Sequence, residues 1–119
     1  MKYMLLIHQR DAPTPDNEDW EKLSDDEKQE IYRGYGEVNQ TPGVTPAEFR
    51  LQPPQSATTV RVEDEKTLTT DGPFVSVKEA LGGWLLYEAD DLDAAIELAS
   101  RIPAARLGGA VEIRPVMEG

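Results

Sequence analysis

Residues 2–9, KYMLLIHQ, are apolar along both alternating rows: Met4 and Leu6 lead to His8 on one, and Tyr3, Leu5 and Ile7 form the other. A strand with two apolar faces is a central strand with something packed on each side. GGWLLYEA, residues 82–89, has the same character. The stretch DAPTPDNEDW reads as a proline-punctuated loop, and Ser24-Asp25-Asp26-Glu27 after it spells a capping box. The helix so opened repeats Ile31, Tyr35 and Val38 at i, i+4, i+7, and Thr41-Pro42-Gly43 ends it. Gly34 and Gly36 inside that helix either weaken it or admit the close approach of another backbone.

VTPAEFRLQPP (44–54) is extended but broken by prolines, which suits a sheet edge. ATTVRVEDEKTLTT (57–70) is the clearest hairpin, with β-branched residues flanking the polar turn Asp64-Glu65-Lys66. Asp90 or Asp91 caps a second helix, whose apolar stripe is Leu92, Ala95, Ile96 and Ala99. Arg101 falls in its last turn, Pro103 stops it, and GGAVEIRPV (108–116) is the closing strand. The order predicts an α+β fold, ferredoxin-like with an inserted β-hairpin, as a single domain over residues 1–119. Two helices cover one sheet face only. The second apolar face calls for a partner, and another copy of the chain is the simplest one, giving a homodimer.

Composition narrows the partners. The chain has 119 residues, and 12 Lys plus Arg stand against 23 Asp plus Glu, for a formal charge of -11. Such a surface repels phosphate backbones and anionic lipid, so neither nucleic acid nor a membrane is an expected partner. Cysteine is absent, which removes disulfides and thiolate metal sites and fits a cytoplasmic location. The apolar run in MKYMLLIHQRD is too short for a signal peptide, and no stretch approaches a membrane span.

Few motifs survive scrutiny. Gly34-Tyr35-Gly36 begins a dinucleotide-binding match, but Asn39 stands where the third glycine belongs. The aspartates Asp16, Asp19, Asp90, Asp91 and Asp93 lack calcium-loop spacing, and a single histidine does not make a zinc site. No cofactor and no metal are therefore expected. His8, the only histidine, reads first as a core or rim residue and only weakly as a proton carrier. Tyr32 and Tyr35 share one helix; Tyr35 suits the core, while Tyr32 is a weak candidate to present its hydroxyl to a pocket. Trp84 and Tyr87 alternate to opposite faces, and one of them could wall an apolar pocket. Arg61, Arg106 and Arg114 are the cations considered for an anionic ligand, each also a plausible surface ion-pair partner. Asp71-Gly72-Pro73 is turn chemistry, yet the same turn would also present Asp71 as a candidate carboxylate base.

Taken together, MKYMLLI, LQPP with ATTVRV, TDGPF–KE–LGG, DLDAA–ELA and AVEIRPV resemble, in order, the YCII-related family, and within it the branch with a DGPF motif. The resemblance implies a dimeric α+β barrel, two ferredoxin-like sheets facing each other around shared pockets. It puts Asp71 at the position of the family's pocket aspartate, and it brings elimination chemistry and an association with extracytoplasmic-function sigma factors into view. The family's helical histidine is not matched: Tyr32, Arg33 and Tyr35 lie there instead. The expected function is that of a small-molecule-binding homodimer, as a lyase or isomerase with Asp71 as proton acceptor. The alternative is a non-catalytic accessory or regulatory module working with a sigma factor.

Overall fold

The computed structural model describes residues 1–9, 12–15, 18–47, 50–52, 56–72 and 81–117. Pro53-Pro54, and the Pro73 and Phe74 half of the DGPF turn, lie outside them, as does Asp16. Among the described residues the order is β1 (Lys2–His8), α1 (Glu18–Glu21), α2 (Asp25–Asn39), β2 (Val44–Pro46), β3 (Thr58–Glu63), β4 (Lys66–Asp71), β5 (Leu81–Glu88), α3 (Leu92–Ser100), α4 (Pro103–Arg106) and β6 (Ala110–Pro115). The protein is an α+β fold. Four strands form an antiparallel sheet in the order β2-β5-β1-β6, and β3 with β4 make a separate two-stranded hairpin. None of the described helices is long and apolar enough to cross a membrane.

β1 is central, as its two apolar rows require. Its odd row, Tyr3, Leu5 and Ile7, is buried with Leu85 of β5 against Val38 of α2 and Ala95, Leu98 and Ala99 of α3. Ile102 and Ala104 complete that core around α4. Leu5, Val38, Leu98 and Ile102 are the largest side chains fully closed off from water, and each such burial contributes about 1.5–3 kcal/mol. The even row is different. Met4, Leu6 and His8 pair with Leu86, Trp84 and Leu81 on one side and with Arg114, Glu112 and Ala110 on the other. None of these is fully buried.

The helix starts follow their capping chemistry. The Ser24 hydroxyl accepts from the Glu27 amide at 3.1 Å, and the Glu27 carboxylate accepts from the Ser24 amide at 2.9 Å. Those bonds hold the Glu27 carboxyl below its ordinary pKa, the Ser24 amide being the larger cause. Asp91, rather than Asp90, caps α3 by accepting from the Ala94 amide at 2.9 Å.

Four local expectations need correction. The buried stripe of α3 is Ala95, Leu98 and Ala99, running on to Ile102 at i, i+3, i+4, i+7; Leu92 and Ile96 are half exposed. Leu98 wins the core position because that spacing aims one ridge at the sheet, whereas Ile96 is turned about 100° from Ala95. Pro103 does more than stop a helix: α3 has already ended at Ser100, and Pro103 opens α4, where its missing amide costs nothing. The acidic loop also contains a helix, α1, whose Trp20 is buried. In the hairpin the turn is two residues, Asp64 and Glu65, both with positive φ, and Lys66 already pairs with Glu63. That is the backbone the right-handed strand twist favours, although neither residue is the glycine or asparagine that adopts it most easily.

Candidate functional site

A cavity of about 390 Å³ opens at the end of β1 and β5, beneath α2. That volume falls within the range typical of small-molecule sites, roughly 300–1,000 Å³. Its floor is sheet: Ile7 and, beside it in register, Gly83, with Leu85 next along the same face. Its roof is one face of α2, where Ile31, Tyr35 and Asn39 recur four apart and Tyr32 flanks them. Pro13, Thr14, Pro15 and Trp20 close one side; Ala47 and Arg50 close another.

Glycine makes this space. A Cβ at Gly83 would meet nothing within 4 Å among the described residues, so the absent side chain is open volume on the cavity floor. A Cβ at Gly82 would overlap the Gln9 side chain. Glycine there lets Gln9 lie across β5 and reach the hydroxyl of Tyr35, which the Ala104 backbone also contacts. On the roof, Gly34 seats α2 against α4: a Cβ there would stand 2.9 Å from Pro103 Cγ. Trp20 meets the ring of Tyr32 edge-on, with centroids 5.4 Å apart at 72°, and ties α1 to the same helix.

Electrostatically the site departs from the rest of the molecule. Among its described lining residues Arg50 is the single charged side chain, in a protein of net charge -11. Burial raises the pKa of Tyr35 above the ordinary phenol value, against the opposing pull of Gln9, the Ala104 backbone and the Arg50 charge. At neutral pH the roof therefore presents a neutral hydroxyl.

Of the residues singled out in the sequence, Tyr32 and Tyr35 line the cavity and Trp84 borders it from β5, where it pairs with Leu6 on the opposite face of the sheet, while Asp71 and His8 do not line it. Asp71 is exposed at the end of β4, paired with Thr58 in the hairpin. His8 lies in the other sheet, its Nε2 3.2 Å from Glu112 Oε1. Glu112 Oε2 accepts from Arg114 Nε at 2.6 Å, and Arg114, then His8, hold the Glu112 carboxyl below its usual range. Within one chain, then, Asp71 and His8 belong to different sheets. Arg114 is committed to Glu112, and Arg106 donates to the Ser100 carbonyl. Tyr87 packs on the core. The cavity's cation is Arg50, which no periodicity in VTPAEFRLQPP marks. Among the described residues no three His, Cys, Asp or Glu side chains gather as a metal site.

The fold and the cavity define a small α+β domain with a walled, mainly apolar chamber. The YCII-related domain family matches residues 1–119, and the chain belongs to that family. It is also 37% identical, over 68 residues, to an uncharacterized protein of Rhizobium meliloti (strain 1021), a match that spans 56% of this chain and 55% of that protein.

Proposed function

We propose that the protein is a small-molecule-binding domain that acts as a homodimer, with the cavity under α2 as its binding site. The observation that carries this reading is the chamber itself: about 390 Å³, walled by Trp20, Tyr32 and Tyr35, with one cation among its described lining residues. Few polar groups set in an apolar wall is the usual composition of such sites. In this proposal the chain is of the DGPF-type branch and the sheet is ferredoxin-like, and two copies face each other through the Met4, Leu6 and Leu86 side to make a dimeric α+β barrel. A half-buried apolar sheet face gains most by being covered. A lyase or isomerase reaction with Asp71 as proton acceptor is the catalytic form of the proposal. Because Asp71 does not line the cavity of its own chain, that chemistry requires the assembly to bring a carboxylate to the bound molecule.

A second reading, an accessory or regulatory module such as a sigma-factor partner, draws on Leu92 and Ile96, half exposed one turn apart on α3. A fragment screen followed by calorimetry on the parent and on Gly83→Val distinguishes the two. Fragments that bind the parent and are lost in the variant support the binding site, because the added side chain occupies the floor of the chamber. Binding that ignores the substitution, or a screen with no binders, rejects it.

A further inference from the structure

The chamber's lining limits what can occupy it. A cation would meet the like charge of Arg50 and, among the described lining residues, no carboxylate. A sugar-like molecule with many hydroxyls would bury several of them against Ile7, Trp20, Ile31 and Leu85, which offer almost no partners. A neutral apolar molecule would fill the volume but gain nothing from the guanidinium. What uses every wall is a flat apolar body with one negative end. The aromatic side chains take the flat part, and a planar guanidinium matches a carboxylate with two parallel hydrogen bonds.

We propose that this cavity binds an aromatic or similarly flat carboxylate of about 10–20 non-hydrogen atoms, its carboxylate at Arg50 and its ring against Trp20 and the tyrosines of α2. The proposal rests on the binding reading above and narrows it to one chemical class. Tyr35 contributes a neutral hydroxyl that can donate to the ligand without repelling it. The overall charge of -11 makes the preference more telling: long-range repulsion of an anion has to be overcome locally, so the discrimination resides in Arg50. Trp20 is a buried part of the cavity wall, so tryptophan fluorescence reports its occupation.

The test uses the full chain with naphthalene-2-carboxylate and its uncharged isostere naphthalene-2-carboxamide, followed by fluorescence quenching and calorimetry. The carboxylate is expected to bind at least about tenfold more tightly than the amide, the difference a charge-assisted hydrogen bond makes. Arg50→Gln should erase the difference, Arg50→Lys should keep part of it, and Gly83→Val should abolish both. Far-UV circular dichroism checks that each variant folds, with Gly83→Ala as the milder alternative if valine does not. Equal binding of acid and amide by the parent overturns the carboxylate assignment and leaves the binding site standing. Carboxylate binding that survives Gly83→Val puts the anion elsewhere and also overturns it. If neither probe binds, this proposal falls, and a fragment screen that is likewise empty takes the binding site with it.

Discussion

Gly34 and Gly36, two residues apart in α2, should respond oppositely to the same substitution. Each is a glycine in a helix interior, so alanine should stabilise the helix by about 0.8–1 kcal/mol at either position before any contact is counted. At Gly36 a Cβ meets nothing within 4 Å among the described residues, so that gain stands. Gly36→Ala should raise stability by about 0.8 kcal/mol, or roughly 3 °C in melting temperature for a domain of this size. At Gly34 the new methyl would sit 2.9 Å from Pro103 Cγ and 3.6 Å from Cδ. Pro103 is buried, and its closed ring cannot swing aside as a flexible side chain would. Overpacking of this kind costs about 1–3 kcal/mol. Gly34→Ala should therefore end about 1 kcal/mol below the parent, a gap of about 2 kcal/mol between the two variants. Urea unfolding followed by far-UV circular dichroism measures both, at one fixed protein concentration so that association does not enter the comparison. If Gly34→Ala stabilises as much as Gly36→Ala, α2 does not rest on Pro103. The roof of the cavity, which α2 supplies, would then be wrongly positioned too.

Three further outcomes are expected. The raised pKa of Tyr35 means the folded chain keeps the phenol proton at pH values where the unfolded chain has lost it, so its contribution is intact below about pH 10 and declines above; the stability of Tyr35→Phe relative to the parent should rise only in that alkaline window, and a difference that is flat with pH refutes the buried hydroxyl. Asp71→Asn should keep the melting temperature, with a change within about 0.5 kcal/mol for an exposed polar swap, while abolishing turnover of any substrate found; a folded variant with full turnover removes Asp71 from the chemistry. Light scattering across micromolar dilution should report a dimer, and Leu86→Lys a monomer, whereas a monomeric parent rejects the sheet-to-sheet pairing.

What the chain's pattern revealed is what repeats. The two apolar rows around Leu5 identified β1 as central, and Ser24 with Glu27 marked the start of α2 to the residue. β-Branched residues on either side of Asp64 located the hairpin. Where apolar residues outnumber the positions a helix can bury, the pattern is ambiguous: in α3 it favoured Ile96 and passed over Leu98. The site was harder still. Tyr32, Tyr35 and Trp84 were visible as aromatics on regular elements, but Trp20 and Arg50 reach the cavity from segments without a period, and Gln9 through Gly82, more than half the chain away. Their roles are set by tertiary contacts alone. Asp71 stood out because Asp-Gly-Pro is rare and rigid, a property of the turn whether or not the carboxylate touches a ligand.

The chamber's walls and the hydrophobic core lie on largely different residues. Leu5, Val38, Leu98 and Ile102, the side chains that close the core, are not among the described residues lining the cavity, whereas Pro13, Thr14, Pro15, Ala47 and Arg50 line it from connecting segments. Evolution can thus redraw the pocket without endangering the scaffold. Position 83 is the extreme case: a single codon change there alters the depth of the chamber while the backbone ladder between β1 and β5 stays as it is. Descendants of one stable ancestor could in this way diverge in ligand choice through changes that are nearly neutral for folding.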